Sequence, residues 1–216
     1  MLARSTCEVH AALVDLGREF EILIVDDGST DRTGAVAAQL EAEIEQVHLI
    51  RHGRNLGSGT AILTGIRNSR NDIICFHAAD NQLDFAEVAR FIPLLDDHDI
   101  VIGSRSGRPG YTTLRMLSSA VFIQLAQRLF DIGEWDDFNF LYLYRRELFD
   151  DFPIESEGIF VCTEIFVRAL DRGARVARVE ATCKPREIGS SSVFKPKVIA
   201  RTLYEMGRFW LSRQRR

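Results

Sequence analysis

The chain has 216 residues, of which 46% are apolar and 27% charged, the balance of an ordinary soluble globular protein. That composition excludes a disordered chain, a collagen-like fibre and a disulfide-knotted mini-protein. The formal net charge of −4 is unevenly spread: residues 195–216 hold seven basic side chains and one acid, so this tail is +6 and the rest of the chain −10. An acidic body argues against a general nucleic-acid binder. No apolar run approaches the roughly 18 residues that a membrane-crossing helix needs. The opening MLARSTCEVH lacks the apolar centre of a signal peptide, so the expected location is the cytoplasm. Cys7, Cys75, Cys162 and Cys183 are far apart and form no CxxC pair, which favours free thiols over a zinc site.

In chain order, short segments rich in Ile and Val alternate with segments of helical spacing. Residues 21–27 (EILIVDD), 47–52 (VHLIRH), 72–80 (DIICFHAAD) and 99–105 (DIVIGSR) read as strands. Most are near-continuous apolar runs, as strands buried on both faces are. Residues 31–46, 58–70 and 84–95 read as helices between them. This rhythm predicts an α/β fold, an open, mostly parallel sheet flanked by helices, with ligands beyond the carboxyl ends of the strands. After Arg105 the rhythm breaks into a Gly/Pro/Ser-rich turn, a long helix over 112–130 and the aromatic stretch FNFLYLY. That half reads as an acceptor-side region of the same domain.

Three strand ends are polar in distinct ways. Asp26-Asp27-Gly28-Ser29-Thr30-Asp31 offers two adjacent carboxylates that could accept from a base N–H or ribose hydroxyls; Ser29 or Thr30 could equally cap the next helix. Asn55-Leu56-Gly57-Ser58-Gly59-Thr60 places glycines at a helix entrance, where backbone can approach an anionic ligand closely. His77-Ala78-Ala79-Asp80-Asn81-Gln82 suits a hard divalent cation, or is an ordinary strand-to-helix turn capped by Asp84.

The order VDDGSTD, NxGxGxAxxxG (55–65), AADNQ and GSR (103–105) closely resembles family 2 glycosyltransferases of the GT-A fold, a Rossmann-like architecture. It looks most like the branch of polyprenyl-phosphate (dolichyl-phosphate) mannosyl- and glucosyltransferases. The resemblance covers residues 21–192 and implies inverting transfer of a sugar from GDP-mannose or a UDP-sugar to a lipid phosphate. It implies a donor site of Asp26, Asp27, Gly28, Ser29, Asn55, Gly57, Gly59 and Asp80, closed by Arg186 and Ser191 of an R-x-x-G-x-S loop. Asp80 and Gln82 match the last two ligands of an Asp-x-Asp-x-Gln motif for Mg2+ or Mn2+. Arg105, Arg115 and Ser119 match positions that hold the acceptor phosphate. Glu164 matches an acidic residue of the acceptor-side helix, which would be the general base if the acceptor were a saccharide hydroxyl. With Asp80 and Arg105 it completes the expected catalytic set.

Two departures from the family pattern bear on this. Ala78 stands where the metal motif begins with Asp, which should weaken the metal or leave a non-catalytic nucleotide-sugar binder. Family members also open with a strand and a Pro-x-Tyr-Asn-Glu-like loop, whereas residues 7–19 here read as the helix that follows them. A truncated or mis-assigned start is the expectation, with two neighbouring strands uncovered. The Gln-x-x-Arg-Trp motif of processive synthases is absent. Residues 1–194 thus read as the transferase domain and 195–216 as a basic amphipathic helix. Ile199, Leu203, Met206 and Trp210 form one stripe of that helix, able to lie on an anionic membrane or to pack on the core. The partners implied are a nucleotide-sugar, a lipid-phosphate acceptor and a peripheral membrane surface, not nucleic acid.

Overall fold

A computed structural model describes residues 1–79, 83–107, 111–133, 135, 140–150, 153–184 and 195–215, with Leu114 as backbone only. Helix α1 (Leu2–Asp15) precedes strand β1 (Ile22–Asp26), α2 (Thr33–Glu43), β2 (Val47–Arg51), α3 (Ser58–Asn68) and β3 (Ile73–Cys75). Two short 3-10 segments, Phe85–Arg90 and Ile92–Asp96, lead to β4 (Ile100–Arg105) and the long helix α4 (Thr113–Phe130). Strand β5 (Leu141–Arg145), α5 (Val161–Asp171), β6 (Val176–Ala181) and α6 (Pro196–Arg213) follow.

The strands form two sheets. β1 pairs in parallel with β2, Ile22 opposite Val47 through Asp26 opposite Arg51. The second sheet has the order β3-β5-β4-β6, in which β5 runs antiparallel to β3 and β4 while β4 and β6 are parallel. The strand direction is therefore mostly parallel, as the sequence predicts, with β5 the reversed member. Among the described residues, no strand pairs with the edge of β1 away from β2 or the edge of β3 away from β5. The two sheets are tied at the strand starts instead: the Glu21 carboxylate accepts from the backbone N–H of Arg70 (2.6 Å) and Asn71 (3.3 Å). Gly65 of α3 lies against Val25 of β1.

The core forms on both faces of the four-stranded sheet, because successive side chains of a strand point to opposite faces. Ile100, Ile102, Tyr142 and Tyr144 face one cluster, with Phe130 of α4, Ile165 and Phe166 of α5, and Met206 and Phe209 of α6. Val101, Leu141 and Leu143 face the other, with Val9 of α1 and Val88, Phe91 and Leu95 of the 3-10 segments. The alternation in LYLY thus puts a tyrosine layer under α5 and a leucine layer under α1.

Two expectations differ from what is seen. The helix expected over 84–95 is two 3-10 segments: Asp84 caps the first through Ala86 N, and Pro93 at the head of the second has no N–H for an α-helical ladder. FNFLYLY does not mark an appended region alone, because it contributes the interior strand β5. Helix α6 packs on the core, one of the two alternatives for this segment, with Thr202, Glu205, Met206 and Phe209 buried. The stripe Ile199, Leu203, Met206 and Trp210 straddles the boundary of that buried face. Met206 is buried and Trp210 half-buried, while Ile199 and Leu203 are exposed. No helix among the described residues is long and apolar enough to cross a membrane.

Truncating the fully buried Phe166 to Ala should cost about 3–5 kcal/mol, and truncating the exposed Ile199 to Ala about 0.5 kcal/mol or less. Urea denaturation of both variants checks the assignment of the α5 and α6 faces.

Candidate functional site

The site is built at the carboxyl ends of β1 and β4. β1 ends on Asp26, which is 3% exposed, and the chain turns at once through Gly28 with φ +70°. A side chain at Gly28 would collide with the backbone of Arg54 and Asn55, its Cβ standing 2.4 Å from Arg54 C. Glycine therefore lets the acidic loop and the 54–57 loop touch backbone to backbone. Asp26 Oδ1 accepts from Ser29 N at 2.9 Å. Its other oxygen is buried and has no hydrogen-bond partner among the described residues. Arg51 Nε is 3.3 Å from that oxygen, close enough for an ion pair but not aligned as a hydrogen bond. The Ser29 side chain above all, with help from its backbone N–H and Arg51 against the opposing effect of burial, holds the Asp26 carboxyl below the usual carboxylate range. Gly34 of α2 leaves room for this pair, since a Cβ there would stand 2.7 Å from Arg51 Nη2 and 2.8 Å from Asp26 Oδ2.

Asp27 is engaged differently. Its carboxylate accepts from Leu56 N (2.9 Å) and Gly57 N (2.8 Å), and His52 Nδ1 lies 2.7 Å from Oδ1. The other ring nitrogen of His52 is 3.0 Å from the Thr64 hydroxyl. With the proton on Nδ1, His52 donates to Asp27 and accepts from Thr64. Burial works to raise the Asp27 pKa, but His52 and the two backbone N–H groups outweigh it and hold the carboxyl low. Asp27 thus fixes the entrance of α3, where Gly57 takes φ 100° ahead of the first helical turn. Asn55 and Ser29 are exposed beside it, and Gly59 is buried.

At the end of β4, Arg105 Nη1 donates to the Tyr111 hydroxyl at 2.6 Å. The Arg115 guanidinium stacks on the same ring, 3.5 Å from its centroid. Two cations thus flank one tyrosine at the head of α4, which Thr112 caps by accepting from Arg115 N. Ser119 lies one turn further along, half-buried.

Glu164 sits elsewhere. It is fully buried in α5, where it accepts from Glu155 N (3.1 Å), Ser156 N (2.8 Å) and Arg168 Nε (2.8 Å). Both of its oxygens are engaged in holding the 155–156 backbone. Asp80, Gln82, Arg186 and Ser191 lie outside the described residues. His77, close to them in sequence, is 3.3 Å from Ser5 Oγ and edge-on to Phe85. Among the described residues no cluster of three or more His, Cys, Asp or Glu could hold a metal ion. The thiols offer no nucleophile in the core, since burial pushes Cys75 and Cys162 up to about 12.

The sequence reading overlooked His52, Arg51, Gly34 and Tyr111. RH at the end of β2 was the available signal for the first two. Tyr111, which follows Pro109-Gly110 in the sequence, carried none.

An open α/β sheet with an acidic pair at one strand end, a glycine-lined helix entrance and arginines at another strand end defines a GT-A-type architecture. The sequence matches Glycosyl transferase family 2 over residues 2–152, and the chain belongs to that family. It is similar to the undecaprenyl-phosphate 4-deoxy-4-formamido-L-arabinose transferases of Klebsiella pneumoniae, 31% identical over 141 residues (65% of this chain, 43% of that protein). For the Pseudomonas aeruginosa protein of that name the figures are 32% over 156 residues, 72% of this chain and 44% of that one. The chain spans less than half the length of these curated relatives. Its fold is that of glucosyl-3-phosphoglycerate synthase from Mycobacterium tuberculosis, solved with Mn2+, UDP and phosphoglyceric acid: TM-score 0.66 at 21% identity, covering 94% of this chain and 73% of that one. A second mycobacterial protein gives a TM-score of 0.68 at 24% identity, covering 94% and 70%.

Because the Asp27 carboxyl is held low, its stabilising contribution is present above the usual carboxylate range and lost as the pH falls through the depressed value. Asp27→Ala should destabilise the fold by about 3 kcal/mol at neutral pH. It should also flatten the acid side of the stability profile, read by denaturant melts between neutral and acid pH. A variant that keeps the wild-type acid dependence would show that Asp27 does not fasten the two loops.

Proposed function

We propose that the chain transfers a sugar, with inversion, from a nucleotide-sugar (GDP-mannose or a UDP-sugar) to a polyprenyl phosphate. The observation that carries this is the Arg105–Tyr111–Arg115 cluster at the head of a helix whose outer face is apolar and free of acid. Paired guanidiniums suit a phosphate, and Ser119 is one turn away on the same helix. Of the nine large apolar side chains exposed among the described residues, seven lie on α4 and α6: Met116, Leu117, Val121, Ile199, Leu203, Tyr204 and Leu211. In a chain with 31 acids, neither helix exposes one, because α4 has none and Glu205 of α6 is buried. Apolar and basic surface without acid is what an anionic bilayer attracts, so both helices would face the membrane that holds the acceptor.

On the donor side, the Asp26 oxygen that pairs with Arg51 but accepts no hydrogen bond would accept from a base N–H or a ribose hydroxyl, beside Gly28, Ser29, Asn55, Gly57 and Gly59. Arg186 and Ser191 would close over the diphosphate. An oxygen of the acceptor phosphate attacks the anomeric carbon from the face opposite the nucleotide. As that bond forms, the bond to the nucleoside diphosphate breaks and the diphosphate leaves with the electron pair. The nucleophile is already an anion, so no strong base is required. The engagement of Glu164 with backbone N–H groups favours this acceptor over a saccharide hydroxyl, which would need that carboxylate as a base. A divalent cation, Mn2+ or Mg2+, held by Asp80 and Gln82 would neutralise charge on the leaving diphosphate.

Labelled UDP- and GDP-sugars, Mn2+ and undecaprenyl phosphate in detergent should yield a labelled lipid product. Arg115→Ala should cut that transfer by about 10–100-fold while leaving the thermal shift given by the nucleotide-sugar intact. A thermal shift without lipid product from any donor would make the chain a binder, and no shift with any nucleotide-sugar would sink the reading altogether. Vesicles containing anionic phosphatidylglycerol should sediment the chain, less so at high salt. Leu117→Glu and Leu203→Glu should each weaken that binding, and sedimentation unchanged in both would remove the membrane face.

A further inference from the structure

Residues 155–158 form a short backbone bracket held from two helices. Glu164 of α5 takes the N–H groups of Glu155 and Ser156. Glu205 of α6 takes the next two, Glu157 N at 3.2 Å and Gly158 N at 2.9 Å. Four successive amides are thus captured by two buried carboxylates. Burying a carboxylate is tolerated only when hydrogen bonds and a cation compensate, and both are present here. Arg168 Nε donates to Glu164 at 2.8 Å. Arg201 donates from Nε to Glu205 and from Nη2 to Glu157, each at 2.9 Å. The hydrogen bond to Glu205, more than any other contact, pushes the Arg201 pKa above its ordinary value. Gly158 leaves the space that Glu205 occupies, since a Cβ there would stand 2.7 Å from Glu205 Oε2.

The other side of the bracket carries the entrance of α3. Thr60 N donates to Glu157 O at 3.0 Å. A Cβ on Gly59 would lie 2.2 Å from Gly158 O and 2.3 Å from Glu157 O, so only glycine lets the first turn of α3 seat against the bracket. Two residues before that turn, Gly57 N and Leu56 N donate to Asp27. The α3 entrance is therefore held between Asp27 on one side and Glu157 on the other. A continuous series of hydrogen bonds and backbone contacts leads from α6 to the acidic loop.

We infer that Glu205, with Glu164 behind the same bracket, is a positioning residue for the nucleotide-sugar site. Through residues 155–158 it sets the height of the α3 entrance, and with it the 54–57 loop that lies on Gly28. The C-terminal helix is on this account part of the donor site's architecture as well as a surface element. The inference rests on the donor reading above, but the coupling itself is independent of which sugar is carried.

The test compares Glu205→Gln with Arg213→Ala in the full chain. Glutamine keeps the size of Glu205 but turns an N–H group toward backbone donors. Arg213 ties the far end of α6 to Asp171 and touches no part of the bracket, so it reports loosened docking of α6 alone. Three measurements are made on each variant: thermal melting, UDP and GDP dissociation constants by calorimetry, and hydrogen exchange at residues 57–61. Glu205→Gln should weaken nucleotide binding by about tenfold, the scale of one lost charged hydrogen bond. It should speed exchange at Thr60 N–H, and in turnover raise the donor KM more than it lowers kcat. Arg213→Ala should melt earlier with nucleotide affinity and Thr60 exchange unchanged. Gly59→Ala should behave like Glu205→Gln. Equal loss of affinity in the Glu205 and Arg213 variants, in step with melting, would reduce Glu205 to a stability role and overturn the inference. Unchanged exchange at Thr60 in Glu205→Gln would break the coupling itself. A wild-type chain that binds neither nucleotide but still shows the exchange difference would overturn the donor reading and leave the coupling standing.

Discussion

The hydrogen bonds from Leu56 and Gly57 N–H to Asp27 fasten the end of β1 to the entrance of α3, and the remainder of the site is arranged around that fastening. A helix leaves its first N–H groups without internal partners. At α3 the two amides just before the helix go to Asp27, and Thr60 N goes to Glu157 O. The entrance is thus held by protein at Leu56, Gly57 and Thr60, next to the acidic loop. Asp26 keeps the complementary property, a buried oxygen without a hydrogen-bond partner among the described residues. Of two adjacent carboxylates, Asp27 fastens the loops and Asp26 is buried against Arg51. The positive φ of Gly28 is the backbone device that lets them differ.

Much of the fold was legible because its signals are local. Runs such as ILIVD and IVIGS read as strands, the second fully buried and the first half-buried, and the order of the three polar strand ends carries the family resemblance by itself. Strand β5 was obscured because its alternation is between tyrosine and leucine, both apolar enough to be buried on the two faces. The 3-10 character of 85–96 turned on Pro93, which sequence spacing alone underweighted. For the site, Asp26, Asp27, Gly28 and Gly57 were identifiable, and Arg105 and Arg115 fall together on one tyrosine. The division of labour between Asp26 and Asp27 was not legible, because it depends on His52 and on amides 29 and 30 residues away. Glu164 and Glu205 were opaque for the same reason. Their partners are backbone N–H groups, which every residue possesses and no motif marks.

The separation of the strands into two sheets gives these contacts a larger consequence. The acidic pair stands on the two-stranded unit, while Arg105 ends a strand of the four-stranded one. The proposed sugar transfer would need these two sides held in register, since reacting atoms displaced by even an ångström lose much of the benefit of proximity. Within the described residues no ladder of strand hydrogen bonds runs across that seam. What crosses it at the strand starts is the Glu21 carboxylate on the 70–71 backbone. Close to the strand ends it is α3, gripped by Asp27 from the small sheet and by the 155–158 bracket from the α5 and α6 side. Hydrogen bonds that accept at a buried carboxylate are short-ranged, directional and costly to leave unmade. They can therefore hold an alignment that apolar packing, which tolerates sliding, would leave loose. The buried glutamates of α5 and α6 thus stand at the far end of the series of contacts that reaches the acidic loop through α3.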